Sequence, residues 1–253
     1  MIAEGNGSAD VELVLILSGG NALGAFQAGF YEGLHEYGLV PDWIIGTSIG
    51  AVNGALIAGT PPERRVANLG AFWTAPFGRA DLWPFAPDVW RRTFDVNWAS
   101  LYGQPGLFGV AASGLGECAI YDTHALRRNL DRLVDFERLN GGDCRFTATA
   151  VDALTGQDVV FDSSEQPIEA DHVRASAALP VLFPPVEVEG NRFVDGGVSA
   201  NLALDPFFEA PPARPTLCIA VDLLPMEQST PARSARQEAA CRTFCSPRSR
   251  AVR

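Results

Sequence analysis

Two spacings of apolar residues alternate along the first sixty positions. Residues 11–17, VELVLIL, form an almost unbroken apolar run of strand length, and 41–46, PDWIIG, carry a second, shorter one. Between and after them, in GAFQAGFYEGLHEYG and SIGAVNGALIAG, apolar residues return at helical intervals. A short continuous run is what a strand covered on both faces requires, and parallel sheets are built from such strands. The predicted order is strand, Gly-rich loop, helix ending near Gly38, strand, sharp turn, and a helix starting at or just after Ser48.

Further along, the elements become shorter. YDTHALRRNLDRLVD has a Thr or Asp cap with Leu126, Leu130 and Leu133 at helical spacing. CRFTATAVDALTGQDVVFDS reads as a strand pair turning at LTGQ, and EADHVRASAALP as a short helix stopped by Pro180. VEVEGNRFVDGG predicts two strands around a Gly190-Asn191 turn, and TLCIAVDLL one more buried strand. Residues 61–120 hold Trp73, Trp83, Trp90 and Trp98 among many Phe, broken by Pro and Gly. They read as helices and loops over a core or cleft, with packing the first role of such aromatics and an acyl-chain wall the second. The expected organisation is a flexible N-terminus over 1–10, one domain over 11–224, and a polar, partly helical tail over 225–253.

Charge then narrows the function classes. A net charge of −11, with no Lys/Arg cluster before residue 233, argues against phosphate neutralisation on nucleic acid. It equally disfavours steering to an anionic bilayer. The first twenty residues carry acids where a secretion signal needs basic residues, so a cytoplasmic protein is expected. The uncharged run from Trp43 to Pro62 has the length of a membrane span, but its Gly, Thr, Ser and Asn favour a buried strand-turn-helix. Cysteines 118, 144, 218, 241 and 245 include no C-x-x-C pair and have no nearby histidine, so no metal site is expected.

Against this background GTSIG carries the chemistry. A serine on a tight strand-to-helix turn is pushed into reactive geometry, and Gly46 and Gly50 remove side chains that would clash there. The loop SGGNALG places the N–H groups of Gly19, Gly20 and Asn21 at the mouth of a helix, as an oxyanion hole requires. Read instead as a dinucleotide loop it lacks the middle glycine, since Gly19, Asn21 and Gly24 occupy the three positions. A serine needs a base. His35, His124 and His172 are the histidines available, and His172 satisfies the Ser-Asp-His order of an α/β-hydrolase only formally, because too few strands precede the elbow. Asp195 remains, at a strand end before Gly196 and Gly197, where a carboxylate in isolation is usually a turn former.

The motifs LSGGNALGAFQAG, GTSIGAVNGA, ASAALPVLFPPVEV and FVDGG, in this order, resemble the patatin-like phospholipases, a family of lipid acyl hydrolases, from about residue 11 to residue 224. The resemblance implies a three-layer α/β/α fold with a mostly parallel central sheet. It implies Ser48 as nucleophile, Asp195 as base, an oxyanion hole at Gly19, Gly20 and Asn21, and support from Gly24, Gly46, Gly50 and Gly196. An acyl lipid or other ester is the implied substrate, without metal or organic cofactor, and with peripheral contact to membrane lipid rather than a transmembrane segment. Two departures stand out. The family's loop reads Gly-Gly-Gly-x-Arg/Lys-Gly, whereas this chain has Asn21 and Leu23; the loss of the cation predicts reduced ester hydrolysis. A weakly active or inactive patatin fold that binds lipid or protein is therefore the alternative, with the Ser-His-Asp hydrolase a third.

Overall fold

A computed structural model describes residues 11–73, 109–110 and 121–224. Most of the aromatic segment, the N-terminus and the tail lie outside the described residues. Strand β1 (Glu12–Leu17) is buried throughout but for its first residue, and β2 (Trp43–Thr47) throughout. They pair in parallel, joined by helix α1 (Gly24–Glu36) in the crossover that parallel strands require. Helix α2 (Ile49–Ala58) follows β2 after a single residue, and all ten of its residues are buried. Its apolar, small-residue sequence has no polar face to give to solvent, and it lies directly on β2 and β5 (Arg145–Asp152). Helix α3 (Arg65–Trp73) packs against α1 and α2. The run from Trp43 to Pro62 is thus strand, elbow and helix, and no helix among the described residues is long and apolar enough to cross a membrane.

Beyond a two-residue ladder of β3 (Gly109–Val110) with β4 (Tyr121–Asp122), helix α4 (His124–Leu133) buries Leu126 and Leu130. A short helix that the sequence pattern does not announce, α5 (Phe136–Asn140), leads into β5. Strands β5 and β6 (Asp158–Asp162) form the expected hairpin. Helix α6 (Ala170–Ser176) ends four residues before Pro180, at a turn already closed by backbone bonds from Ala177 and Ala178. Then β7 (Val186–Val188) and β8 (Asn191–Asp195) form a second hairpin, α7 (Asp205–Glu209) follows, and β9 (Thr216–Val221) returns to pair in parallel with β1.

The seven-stranded sheet therefore has a parallel centre, β9-β1-β2-β5, and antiparallel additions on the β5 side. One register detail positions the site. Strand β5 pairs with β6 along one edge, leaving a single edge for both β2 and β8. Thr47, the last residue of β2, is opposite Thr149, and Asp195, the last of β8, is opposite Ala150. The two strands run toward each other and stop on neighbouring residues. Leu15, Leu17, Ile44, Phe146 and α2 fill the main core on one face, each such side chain contributing about 2 kcal/mol of burial. Val14, Ile16, Trp43 and Ile45 meet Leu202 and Phe207 on the other.

Two expectations are corrected. Strand β9 is only partly buried: it lies at the edge of the sheet among the described strands, with Leu217 and Cys218 exposed and Val221 in the core. The β7–β8 turn is Glu189-Gly190 rather than Gly190-Asn191, since Val188 pairs with Asn191 and the two residues between have φ of 50° and 82°. That is the left-handed pair a two-residue type I′ hairpin demands, and Asn is far better suited than Glu to its first position. Glu189→Asn should therefore raise stability by about 0.5–1 kcal/mol, read as a higher urea midpoint with unchanged slope; an unchanged midpoint would show that this turn carries no strain.

Candidate active site

The loop after β1, the turn after β2 and the end of β8 converge at one end of the sheet. At the turn, Ser48 has φ 57° and ψ −124°, a conformation that costs a residue with a side chain roughly 1–3 kcal/mol and lasts only where its surroundings enforce it. The enforcement is visible. A Cβ on Gly46 would lie 2.5 Å from the Ala51 nitrogen, and one on Gly50 would lie 2.2 Å from the Leu17 carbonyl oxygen. The elbow thus presses on its own helix and on β1 more closely than any other residue allows. The Ser48 carbonyl accepts from Ala51 and Val52, and its N–H donates to Ser176 Oγ at 3.0 Å.

With the backbone held, the half-buried Ser48 donates from Oγ to Asp195 Oδ2 at 2.6 Å. The other carboxylate oxygen accepts from the Gly197 N–H at 2.7 Å, and the Asp195 N–H donates to the Ala178 carbonyl at 3.0 Å. A Cβ on Gly196 would sit 2.5 Å from the Thr149 carbonyl oxygen, so the DGG turn can lie flat on β5. Thr149 also bonds Thr47 through their hydroxyls at 2.9 Å, closing the junction where β2 and β8 meet. Asp195 is only 2% exposed, and burial pushes its carboxyl up to about 6, although the bonds from Ser48 and Gly197 pull the other way.

The three N–H groups of the Gly-rich loop are not equivalent. Gly19 donates its N–H to the Asn201 carbonyl at 2.9 Å, and its own carbonyl accepts from Asn201 Nδ2 at 3.1 Å, so Gly19 anchors the loop. Of the three N–H groups expected to serve an oxyanion, that of Gly19 is thus already bonded within the protein. Among the described residues no hydrogen bond uses the N–H of Gly20 or Asn21. Asn21 takes φ 55°, a left-handed conformation that Asn tolerates well. Leu23 is exposed. Below the loop, buried amides form a relay. Gln27 Nε2 donates to the Ser18 carbonyl at 2.8 Å, Asn53 Nδ2 donates to Gln27 Oε1 and to the Gly24 carbonyl at 2.9 Å each, and Trp73 Nε1 donates to Asn53 Oδ1 at 2.9 Å.

None of the three histidines takes part in these bonds. His172 is buried in α6, where its Nδ1 accepts from the Glu169 N–H at 2.9 Å in a capping box and its ring meets Phe161 edge-on. Burial holds its imidazole below the ordinary value. His35 stacks on Tyr31, and His124 opens α4 at the surface. Among the described residues no cluster of three or more His, Cys, Asp or Glu is placed to hold a metal. Ser176, Asn201, Gln27 and Asn53 are site residues the sequence pattern did not single out. Gln27, Asn53 and Ser176 lie inside motifs already quoted, LSGGNALGAFQAG, GTSIGAVNGA and ASAALPVLFPPVEV, while Asn201 follows FVDGG by four residues.

These features meet known proteins at one family. The patatin-like phospholipase profile matches residues 15–208, well over half of the chain, and the chain belongs to that family. An uncharacterised NTE family protein of Mycobacterium bovis is 29% identical over 231 residues, covering 90% of this chain and 53% of its own length. The lysophospholipase nte1 of Aspergillus terreus is 27% identical over 191 residues, covering 75% of this chain and 10% of its own. The chain thus spans about half of one relative and a tenth of the other. The crystal structure of VipD from Legionella pneumophila aligns with a TM-score of 0.47 at 16% identity, over 83% of this chain and 49% of that one.

The buried carboxyl makes a stability prediction. Its folded value of about 6 lies above the ordinary 3.8, so its protonated form stabilises the fold fully below about pH 4, and that stability is lost as pH rises through about 6. Asp195→Asn removes the buried charge while its amide can still serve Ser48 and Gly197. The variant should exceed wild type by about 3 kcal/mol at pH 8 and match it near pH 4. Denaturant melts at the two pH values check this, and a variant less stable at pH 8 would contradict it.

Proposed function

We propose that the protein is a serine lipid acyl hydrolase of phospholipase A or carboxylesterase type, working through Ser48 and Asp195 without histidine. The observation that carries this reading is the 2.6 Å hydrogen bond from Ser48 Oγ to the desolvated Asp195 carboxylate, on a backbone held in left-handed conformation. Family membership supports lipid ester hydrolysis in general terms. In the proposed reaction Ser48 Oγ attacks the ester carbonyl while its proton passes to Asp195 Oδ2. Negative charge develops on the carbonyl oxygen, which the N–H groups of Gly20 and Asn21 receive. Collapse of the tetrahedral species expels the alcohol, which takes the proton from Asp195. Water then attacks the acyl-Ser48 ester and gives its proton to Asp195, which passes it to Ser48 Oγ as the second tetrahedral species collapses and the fatty acid leaves. No step calls for a metal or an organic cofactor.

Burial tunes the base. A carboxyl near 6 is a stronger base than a solvent-exposed aspartate and is still ionised at neutral pH. A carboxylate remains a weak acceptor for a hydroxyl proton, so the loop donors have more of the barrier to remove; a single donor of this kind is worth about 2.7–4 kcal/mol. The substrate is proposed to be a fatty acyl ester presented by a lipid, in a cytoplasmic setting.

Turnover of a medium-chain chromogenic ester in the presence of a chelator tests the reading. Wild type should hydrolyse it, with kcat/KM falling about tenfold per pH unit below about 6 as Asp195 protonates. Ser48→Ala and Asp195→Asn should each lose at least 10³-fold, while His172→Gln, which keeps a side chain able to cap α6, should retain activity. A folded wild type without activity would favour the lipid- or protein-binding alternative. Loss on His172→Gln with the fold intact would favour the Ser-His-Asp one.

The exposed Leu23 occupies the family's cationic position beside the proposed oxyanion donors. Leu23→Arg should raise kcat/KM several-fold. An unchanged value would show that the missing cation does not limit this enzyme.

A further inference from the structure

Ser48 and Asp195 are 147 residues apart in sequence, and both of their main chains are held by one short turn. Ser176, the last residue of α6, accepts the Ser48 N–H on its hydroxyl at 3.0 Å. Two residues on, Ala178 accepts the Asp195 N–H on its carbonyl at 3.0 Å. Ser176 and Ala178 are both 0% exposed, so water cannot replace either acceptor without opening the core. The turn carrying them is closed by its own bonds, from the Ala177 N–H to the Arg174 carbonyl and from Ala178 to Ala175.

We infer that Ser176 is a positioning residue for the reaction proposed above, on which this inference rests. Its hydroxyl fixes the peptide plane between Thr47 and Ser48, and with it the direction of the Ser48 Cα–Cβ bond. The Ala178 carbonyl does the same for Asp195. The two reacting side chains, brought together by the register on β5, are therefore held at their spacing by the end of α6 and the turn after it, and their mutual hydrogen bond forms on that frame. A second effect follows: with its N–H given to Ser176, Ser48 contributes no donor to the oxyanion, and that task stays with Gly20 and Asn21. The bond thus both aims the nucleophile and keeps the substrate oxygen on the loop side. No substrate group contacts Ser176 in this scheme, because it acts through the Ser48 backbone.

The deletion Ser176→Ala removes the acceptor and leaves the Ser48 N–H buried without a partner. Ser176→Cys keeps the side-chain volume but offers only a weak acceptor, and Ser176→Thr restores a hydroxyl. Each would be measured for kcat and KM on the chromogenic ester, for the rate at which a fluorophosphonate labels Ser48, and for thermal midpoint. With nucleophile and base misaligned by a fraction of an ångström, Ser176→Ala and Ser176→Cys should lose about 10- to 100-fold in kcat and in labelling rate, with KM within about twofold. Ser176→Thr should recover most of the loss. A Ser176→Cys variant of wild-type kcat and labelling rate would overturn the inference. So would losses that follow the thermal midpoint across the three variants irrespective of the hydroxyl, because a purely structural role predicts that pattern. A wild type whose turnover does not require Ser48 would instead overturn the proposed reaction, and this inference with it.

Discussion

Two strands of opposite direction end against the same edge of β5, and the site depends on that junction. Were β8 to pair anywhere else, Asp195 would be a turn residue like many others. Because β6 takes the far edge, β8 can extend the sheet only where β2 has stopped, and the stopping point is Ser48. The Thr47–Thr149 hydroxyl pair and the flat DGG turn on Thr149 mark the place where the two ends meet. From this one register follow the short distance between serine and carboxylate, the burial of the carboxylate, and the upward displacement of its titration.

Around the junction the protein uses backbone bonds to side chains more than bonds between side chains. Ser176 holds the elbow, Asn201 holds both sides of Gly19, and the Gln27–Asn53 relay holds the carbonyls of Ser18 and Gly24. Ser176, Gln27 and Asn53 are buried, so the main-chain groups they bond are given partners away from water. The strained elbow, and the two loop N–H groups that bond nothing among the described residues, lie beside the candidate nucleophile. That pattern is expected where local rules yield to function.

What could be read from the chain divides along the same line. The central strands were legible because VELVLIL and WIIG are buried on both faces and show it in composition, and the elbow was legible because two glycines flank its serine. Ser48 and Asp195 came from ordered motifs. Ser176 acts across 128 residues through one bond to backbone and Asn201 across 182 through two, which leave no periodicity to read. The same blindness applies to Gly19: its N–H looks identical to its neighbours' until the fold brings the Asn201 carbonyl to it. Strand β9 failed for a different reason, since TLCIAV is apolar enough for a central strand and nothing in its composition tells that it lies at the sheet's edge. The hairpin turn slipped by one residue because Glu189 accepts a conformation that its neighbour Asn191 would have held more cheaply.

The shared edge of β5 also orders events in time. A chain emerging from the ribosome delivers the loop, the elbow and α2 within its first sixty residues, but the edge that receives Asp195 waits for β5, and the carboxylate for β8. Closing a contact of such sequence separation is slow, because a long loop must be ordered before any bond is gained. During that interval the serine has neither base nor brace. The pairing that gives Ser48 its carboxylate is thus among the last to form, with only β9 left to add to β1 after it.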